Sequence, residues 1–465
     1  MSKDLIKYQR LAEIHLHTVN DGVGFSRREF FKLGALGLTG FFFSKVVNPP
    51  AILAQSKPQL LNTAKNCIFI HLAGAPSHVD TFDLKEGSWT PKDFEPTTYG
   101  EIRWPRGLMP KLAEQLQHIS IVRSMNAWAL VHGLGREWVE IGRNPATPFA
   151  KIAPNIGAVV AMEYESKRQT NQKLPGFIAL TDGSTVTGAG YLPPQFAPFK
   201  VVPSATGILN STHPAGEDRF STRYRALQGI DAELRSGVLG GNSLAMAAAY
   251  NQGKDMMYNP EVLSIFQYTS DEVAPYGNNT FGAACLIARN IIKADLGTRF
   301  IEIVNPGWDH HQGIYDRTQG IYPRAAQIDA AVAKLIADLA STPSKTGKSL
   351  LDETLIVMMG EFGRSPGSLN NQSGRDHYLQ MSAVFAGGGV KGGRVIGKTS
   401  NDGAHTVEYG WQRNVLIRPE DVFCTIYSAL GIDYTTVLSD DPFKRGFEYV
   451  PYAKDGLYAP IDVLF

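Results

Sequence analysis

Several short apolar runs in this chain are followed directly by loops rich in Asp, Glu and His. The two clearest examples are residues 299–311, RFIEIVNPGWDHH, and residues 354–364, TLIVMMGEFGR, with GRDHY following at 374–378. Short apolar runs with β-branched residues are typical of strands that are buried on both faces. Carboxylates and imidazoles are costly to bury unless they are paired or hold a metal. Since open α/β sheets bind ligands at the carboxyl ends of their strands, the pattern predicts a polar site along one edge of a sheet.

The order of apolar runs and helical patterns predicts a doubly wound α/β fold, with a mostly parallel sheet sandwiched between helices. Six strands are predicted, at 67–73, 119–123, 177–180, 299–304, 354–359 and 381–386. Helical patterns occur at 108–117, 152–165, 280–294, 324–340 and 420–430. The glycine run at 387–394 lacks the Lys-Ser/Thr pair of a phosphate-binding loop, so it is interpreted as a turn into another strand at Val395 and Ile396.

The amino terminus predicts export. Residues 26–32, SRREFFK, match the twin-arginine export pattern, and the apolar stretch at 33–43 is shorter than the roughly 20 residues of a membrane span. We therefore expect residues 1–54 to be a signal segment recognised by the twin-arginine translocase. The remainder, 55–465, is expected to form one α/β domain in the periplasm or outside the cell, with no stable membrane span. The segment 183–260 interrupts the strand–helix rhythm and is interpreted as an insertion that caps the site.

Charge and cysteine content exclude some classes of function. The first 54 residues hold seven of the 45 Lys and Arg and four of the 44 Asp and Glu, which leaves 38 basic and 40 acidic residues. A chain so close to neutrality predicts no nucleic-acid partner. The three cysteines lie among apolar neighbours and are expected to be buried thiols, without a disulfide framework.

The polar loops contain a mixture of ligands suited to a divalent metal. Asp309 and His311 are two residues apart in an extended loop, so their side chains are expected to point the same way. The remaining predicted ligands follow or precede later strands and are Glu361, Asp376 and His377. Mixed oxygen and nitrogen ligands make zinc the first expectation, with manganese, calcium or magnesium as alternatives. Arg364 and Arg375 are predicted to contact the oxyanion of a phosphate or sulfate group, although Glu361 and Arg364 could instead form a local ion pair.

Two earlier loops add further candidates. The first predicted strand runs into GAPSHVDTFD, where Asp80 is a candidate ligand and Ser77 a candidate nucleophile; an ordinary turn with an Asp hydrogen bond is the alternative. His132 lies where a helix is expected to begin after the second strand. The field of a helix amino terminus favours anions, so His132 is a candidate for phosphate contact, metal binding or nucleophilic attack. A histidine that only begins the helix is the competing interpretation.

The motifs GAPSHVDTFD, GWDHH, EFGRSP, GRDHY and GGGVKGGRVIG, behind a twin-arginine start, occur in this order in a bacterial family of unknown function that is common in planctomycetes. The chain resembles that family from about residue 26 to 432. The family is grouped with the alkaline phosphatase-like superfamily, which includes sulfatases, so the resemblance implies that fold with metals at the carboxyl ends of the strands. It extends the ligand role to Asp80, Asp309, His311, Asp376 and His377, with Glu361 where Asp is frequent.

The resemblance fails at the nucleophile. The superfamily usually presents Ser, Thr or formylglycine at the helix start after the second strand, where this chain has His132. Ser77, Ser124 or a metal-bound water would then attack, or hydrolysis has been lost. The leading hypothesis is an exported, metal-dependent hydrolase of phosphate or sulfate esters, with polysaccharide esters among its expected substrates. The alternative is an inactive binding or assembly protein of the cell envelope on the same scaffold.

Overall fold

The centre of the fold is a sheet of eight strands, seen in a computed structural model that describes residues 58–235 and 240–465. In chain order the strands are β1 (Asn66–Ala73), β2 (Ile119–Asn126), β3 (Phe177–Leu180), β4 (Phe199–Val201), β5 (Phe300–Pro306), β6 (Thr354–Met359), β7 (Gln380–Ala386) and β8 (Arg394–Ile396). Their spatial order is β8-β2-β7-β6-β1-β5-β3-β4. The predicted signal segment, 1–54, lies outside the described residues.

Seven of the eight strands run in the same direction. β1 pairs in parallel with both β5 and β6. The pairs β2–β8, β3–β4 and β3–β5 are also parallel. β7 alone is antiparallel to both of its neighbours, β2 and β6. The prediction of a mostly parallel sheet is therefore confirmed, as are the six predicted strands and the strand after the glycine run. β4 was not predicted, because it is a three-residue edge strand within a segment rich in glycine and proline.

Helices cover both faces of this sheet. The described α-helices are α1 (Pro110–Ala113), α2 (His132–Ile141), α3 (Ile156–Glu165), α4 (Gly216–Arg235), α5 (Gly240–Met256), α6 (Pro260–Phe266), α7 (Ser270–Val273), α8 (Thr280–Ala294), α9 (Ile321–Ser341) and α10 (Pro419–Ala429). Four short antiparallel ribbons add Pro96–Tyr99 with Ile102–Pro105, Gly363–Arg364 with His377–Tyr378, Lys398–Thr399 with Thr406–Glu408, and Val437–Leu438 with Phe447–Glu448.

The alternation of side chains along β1 explains the two layers of helices. Ile68, Ile70 and Leu72 belong to one apolar cluster together with α8 and α9. Cys67 and Phe69 face the other way and join a second cluster with α2, α3 and α10. Since successive side chains of a strand point to opposite faces, β1 is buried on both sides. The fold is thus the predicted α/β sandwich.

The longest sequence-predicted helix, 324–340, corresponds to α9. Its predicted apolar stripe is buried in full, namely Ile328, Val332, Leu335, Ile336 and Leu339. Each such side chain contributes about 1.5–3 kcal/mol when it leaves water, so this stripe anchors α9 to the sheet. The pattern at 108–117 yields only the single turn of α1, followed by a short 3₁₀ segment at Leu116–His118.

Three further expectations concern the remainder of the described chain. The three cysteines are free and buried, as predicted. Within the described residues, no helix has both the length and the apolar character that crossing a bilayer requires. The segment 183–260 contains β4, α4 and α5. That these elements cap the site stays a prediction.

Candidate metal site

The predicted polar loops meet at one edge of the sheet. The carboxyl ends of β1, β2, β5 and β6 share this edge because these strands run in the same direction. β7 runs the opposite way, so the residues that precede it reach the same edge. The loops at this edge carry His132 after β2, Asp309 and His311 after β5, Glu361 and Arg364 after β6, and Asp376 and His377 before β7.

Four of these side chains form a group that can hold a metal ion: His132, Asp309, His311 and His377. One ligand atom from each lies within 4.8 Å of the others. Asp309 Oδ1 is at the centre, 3.2 Å from His132 Nε2, 3.2 Å from His311 Nε2 and 3.6 Å from His377 Nε2. The Nε2 atoms of His311 and His377 are 2.8 Å apart. We call this group the ligand cluster.

A separate acceptor holds the other ring nitrogen of each histidine. His132 Nδ1 lies 2.7 Å from Glu361 Oε1, and His311 Nδ1 lies 2.9 Å from Asp376 Oδ1. His377 Nδ1 lies 2.7 Å from the backbone oxygen of Leu130. Carbonyl and carboxylate oxygens accept hydrogen bonds, so Nδ1 of each ring carries a proton, and in the neutral form of the ring Nε2 presents a lone pair.

Three lone pairs and a carboxylate therefore point at one place. A shared proton can bridge only one pair of these nitrogens, whereas a divalent cation can accept electron density from all four groups. Apart from its 3.2 Å contact with Asp309 Oδ1, the buried Nε2 of His132 has no hydrogen-bond partner in the described chain. Histidines that bind metals usually donate their other N–H to a carboxylate or a backbone carbonyl, which is the arrangement found here. The residues present thus fit a metal ion.

The charges in the ligand cluster shift its pKa values in both directions. The hydrogen bond to Glu361 raises the pKa of His132 above 6.5. Burial alone would raise the pKa of Asp309, but the hydrogen bond and charge of Arg364 outweigh it and lower that pKa. Burial lowers the pKa of His377, which favours the neutral ring that a metal requires.

Glu361 and Asp376, two predicted ligands, lie outside the ligand cluster and contact its histidines. Glu361 Oε1 accepts hydrogen bonds from His132 and from the backbone N–H of Gly74, at 3.0 Å, and Oε2 lies 3.3 Å from His71 Nε2. Burial would raise the pKa of Glu361, but the hydrogen bonds to the two histidines dominate and hold it well below its usual range. The exposed Asp376 contacts His311. Both carboxylates orient histidines in this geometry.

Asp80 and Ser77 belong to a different buried network. Asp80 accepts two hydrogen bonds from Arg375, at 2.7 and 3.2 Å. It also accepts one from Ser77 Oγ at 2.6 Å and one from Tyr315 at 2.8 Å. The structure therefore does not bring Asp80 into the ligand cluster, and its carboxylate is instead paired with the buried guanidinium of Arg375. Ser77 is buried and directs its proton to Asp80, and Ser124 donates to the backbone oxygen of Tyr409.

Arg364 and Arg375, the two arginines predicted to bind an oxyanion, both donate their hydrogen bonds to oxygens of the protein. Arg375 is fully buried, and besides Asp80 it donates to the backbone oxygens of Ser365 and Gly367. Arg364 donates to the backbone oxygens of Ala75 at 3.0 Å and Arg375 at 3.1 Å, to that of Gly74, and to Asp309 Oδ1. Arg364 thus fixes the central carboxylate of the ligand cluster instead of presenting a free fork to solvent.

A cavity of about 190 Å³ lies at the carboxyl ends of β3 and β5. Its lining includes Asn279, Asn305, Arg324 and Gln327. The buried Nε of Arg324 has no hydrogen-bond partner among the described residues. A Cβ added at Gly307 would lie 2.7 Å from Arg324 Cζ, so the guanidinium packs against the loop that carries Asp309. Sequence reasoning did not single out Arg324.

Sequence reasoning also missed His71 and Glu302. Both are buried, in β1 and β5, and Glu302 interrupts the apolar run FIEIV. A carboxylate in the middle of a strand buried on both faces was the available signal, because such a group needs a partner. His310, which lies between Asp309 and His311, is buried and lies outside the ligand cluster.

Comparison with known proteins supports the motif-based resemblance. A family model described as "Protein of unknown function (DUF1501)" matches residues 64–445. Among proteins with curated functions, none matches this sequence. The resemblance stated from the loop motifs, to a bacterial family of unknown function, is confirmed by this match.

The similar solved structures have low sequence identity to this chain. An alkaline phosphatase superfamily protein from Vibrio parahaemolyticus is 12% identical, with 84% of this chain and 73% of that one covered and a TM-score of 0.37. A putative sulfatase from Bacteroides thetaiotaomicron is 14% identical, with 84% and 75% covered and a TM-score of 0.36. The phosphonate monoester hydrolase of Silicibacter pomeroyi is 11% identical, with 86% and 78% covered and a TM-score of 0.38.

Proposed function

This chain belongs to the DUF1501 family of proteins of unknown function, and we propose that it is a metal-dependent hydrolase of phosphate or sulfate esters. The observation that carries the proposal is the convergence of three imidazole Nε2 atoms on the carboxylate of Asp309. The proposed ligands are His132, Asp309, His311 and His377, and the proposed ion is zinc, which accepts this mixture of nitrogen and oxygen donors. When bound, a divalent cation supplies Lewis-acid polarisation of an ester oxygen.

The surrounding residues hold the ligands in place. Glu361 and Asp376 fix the orientation and tautomer of His132 and His311, and the backbone oxygen of Leu130 does the same for His377. Arg364 holds Asp309 through its guanidinium. We therefore propose positioning roles for Glu361, Asp376 and Arg364, in place of the ligand and oxyanion roles that the sequence predicted. Such outer contacts make the ligand geometry rigid before any substrate arrives.

Recognition of the ester anion falls to Arg324 in this proposal. Its guanidinium lines the cavity beside the Asp309 loop, and its buried Nε has no partner among the described residues. A planar guanidinium donates two parallel hydrogen bonds to phosphate or sulfate oxygens. Arg375 is instead proposed to stabilise the loop through Asp80, because all of its donors meet protein oxygens.

The hydrogen bonding of the ligand cluster favours a second candidate function. In the described chain, none of the hydrogen bonds of the four ligand side chains involves Ser, Thr or Tyr. Ser77 would have to leave Asp80 in order to attack an ester. The second candidate is therefore a metal-containing binding protein of the cell envelope that no longer hydrolyses esters.

Metal analysis combined with an ester panel tests the proposed function. Purified protein, loaded with zinc and freed of excess metal, is assayed with aryl phosphate and aryl sulfate esters. We expect D309N to lose metal and more than about 100-fold in activity, since it removes a ligand charge. The matched control is D316N, because Asp316 is an exposed turn residue of the same loop. A protein that holds metal but cleaves no ester supports the binding function; zinc content and activity that D309N leaves unchanged contradict the proposed site.

A further inference from the structure

A second group of ionisable side chains lies beneath the ligand cluster, in the layer between the sheet and its helices. His71 of β1, Glu302 of β5 and Glu140 of α2 each offer one ligand atom, and these atoms lie within 4.8 Å of one another. All three side chains are at most 2% exposed. His71 and Glu302 face the same side of the sheet, because Phe69 pairs with Glu302 in register and His71 is two residues further along β1.

Two atoms of this group are left without hydrogen-bond partners in the described chain: His71 Nδ1 and Glu302 Oε1. His71 Nε2 lies 3.3 Å from the carboxylate of Glu361. If Nε2 donates there, neutral His71 has its lone pair at the unpartnered Nδ1. A buried imidazole lone pair and two buried carboxylates then lie close together, and Glu140 Oε2 accepts a 2.7 Å hydrogen bond from the backbone N–H of Thr187.

The positive charges nearby do not balance this group. Arg136 Nε lies 3.4 Å from Glu140 Oε1. Lys200 donates to the backbone oxygen of Val186 at 2.8 Å and makes no hydrogen bond to either carboxylate. Glu302 Oε2 accepts a 3.0 Å hydrogen bond from Asn155, which is a neutral donor. Burial, and secondarily the charge of Glu140, raise the pKa of Glu302 well above its usual range. An uncompensated carboxylate at this depth is strongly unfavourable.

We propose that His71, Glu140 and Glu302 bind a second divalent cation, which is structural and separate from the ion of the ligand cluster. Zinc accepts imidazole nitrogen and carboxylate oxygen ligands, and the burial of all three side chains closes this site to bulk solvent. The dication would neutralise both carboxylates and occupy the place to which the two unpartnered atoms point. Glu361, which contacts both His71 and His132, connects the two sites.

The alternative to a bound cation is a protonated Glu302. The variant E302Q distinguishes these two explanations. Gln is the neutral isostere of protonated Glu and keeps an oxygen that can accept the hydrogen bond from Asn155. If a proton fills the group, E302Q leaves the metal content and the melting temperature unchanged. If a cation fills it, E302Q loses one metal ion per chain and melts at a lower temperature.

Metal counting on the full chain tests the proposal independently of the proposed activity. We expect about two zinc ions per wild-type chain after loading, and about one in each of E302Q and D309N. A brief EDTA wash should remove only the ion of the partly exposed ligand cluster and leave the buried ion in place. One ion in the wild type and none in D309N overturns the proposal and leaves the proposed function intact.

The reverse result, one ion in the wild type that E302Q loses and D309N keeps, supports the buried site and contradicts the ligand cluster. E140Q, which alters the ligand on the helix, serves as a second variant. If neither glutamine variant folds, the zinc content of folded D309N decides the question: one ion supports the buried site and none overturns it.

Discussion

At the scale of single residues, the site depends on which nitrogen of each histidine carries its proton. Glu361, Asp376 and the backbone oxygen of Leu130 each accept a hydrogen bond from an Nδ1–H group, so all three Nε2 atoms keep a lone pair for a metal. Glu361 has the most contacts of these, because it also accepts from Gly74 and lies against His71. A substitution of Glu361 should therefore change metal affinity although Glu361 is not itself a proposed ligand.

Replacing Glu361 with Gln should weaken metal binding by about 10–100-fold, the usual effect of removing an outer partner of a metal-binding histidine. Gln keeps the volume and can still accept one hydrogen bond, so the fold should survive. Isothermal titration of metal-free protein with zinc measures the change. E353Q is a control, since Glu353 lies at the other end of β6. Equal zinc affinity in E361Q and the wild type would contradict the positioning role.

As the pH is lowered, metal binding should begin to weaken at a higher pH than at a site whose histidines have ordinary pKa values. The hydrogen bond to Glu361 raises the pKa of His132 above 6.5, so protons compete for this ring at a higher pH. In the metal-free protein the same pairing stabilises the fold below the ordinary histidine pKa, and this contribution is lost as pH rises through the raised value. In titrations between pH 5 and 8, zinc affinity should decrease as the pH is lowered. The pH at which half of this decrease has occurred should be lower for E361Q than for the wild type. A midpoint unaffected by E361Q would contradict this origin of the raised pKa.

At the scale of elements, the direction of β7 decides whether the loops can meet. The apolar runs in the sequence predicted β1, β2, β3, β5, β6 and β7, and the loops after β5 and β6 were correctly expected at one edge. The sequence did not specify that β7 is antiparallel. A parallel β7 would have carried Asp376 and His377 to the opposite edge. Strand direction depends on how the whole chain crosses the sheet, which no local pattern records.

Asp80 illustrates a second limit of the sequence. Its position after β1 made it a reasonable ligand candidate, but the side chain lies against Arg375, which is distant in sequence. A local pattern indicates that a buried carboxylate needs a partner; it cannot say whether that partner is a metal or an arginine. His132 is the opposite case, since its helix-start position left three roles open and the fold brings it to Asp309.

Gly74 allows the first loop to approach the Asp309 loop closely. Its φ is +104°, and an added Cβ would lie 2.7 Å from the backbone nitrogens of Trp308 and Asp309. G74A should therefore weaken zinc binding by displacing Asp309 and Glu361. Gly183 is a matched control, since its φ is +103° and no atom lies within 4 Å of its added Cβ. Strain at positive φ should destabilise both variants by about 1–3 kcal/mol, measured by denaturant unfolding.

Only G74A should also lose affinity in zinc titrations. Equal zinc affinities for G74A and G183A would show that the close approach of the two loops does not support the site.

At the scale of the whole molecule, metal ions should link loops that are far apart in the sequence. The ligand cluster joins residues from 132 to 377, and the buried group joins residues from 71 to 302. A ligand that binds only the folded state stabilises it by about 4 kcal/mol when present at a thousandfold over its Kd. Metal binding is therefore expected to contribute to the stability of the fold as well as to its chemistry.

Removing metal should lower the melting temperature reversibly. Unfolding entropy near 2 cal/mol/K per residue implies a decrease of about 5 °C for a loss of about 4 kcal/mol in a domain of this length. Calorimetry before and after dialysis against EDTA, and again after zinc is restored, measures the effect. D309N should show a smaller decrease than the wild type. A melting temperature that EDTA leaves unchanged in both proteins would contradict a stabilising metal.

Export can be tested on the complete chain. Residues 26–32 match the twin-arginine pattern, although they lie outside the described residues. Changing Arg27 and Arg28 to Lys keeps the charge and removes the guanidinium pair, so the variant should remain in the cytoplasm of a bacterial host that has the translocase. Cell fractionation with immunoblotting compares it with the wild type. Equal periplasmic amounts of the two proteins would contradict export by this route.

Anomalous diffraction from crystals of the zinc-loaded protein tests the central claim most directly. Data collected on both sides of the zinc absorption edge should show a peak about 2.0–2.1 Å from the Nε2 atoms of His132, His311 and His377, with Asp309 as the oxygen ligand. Absence of that peak in fully loaded crystals, or imidazoles turned away from Asp309, would contradict the account.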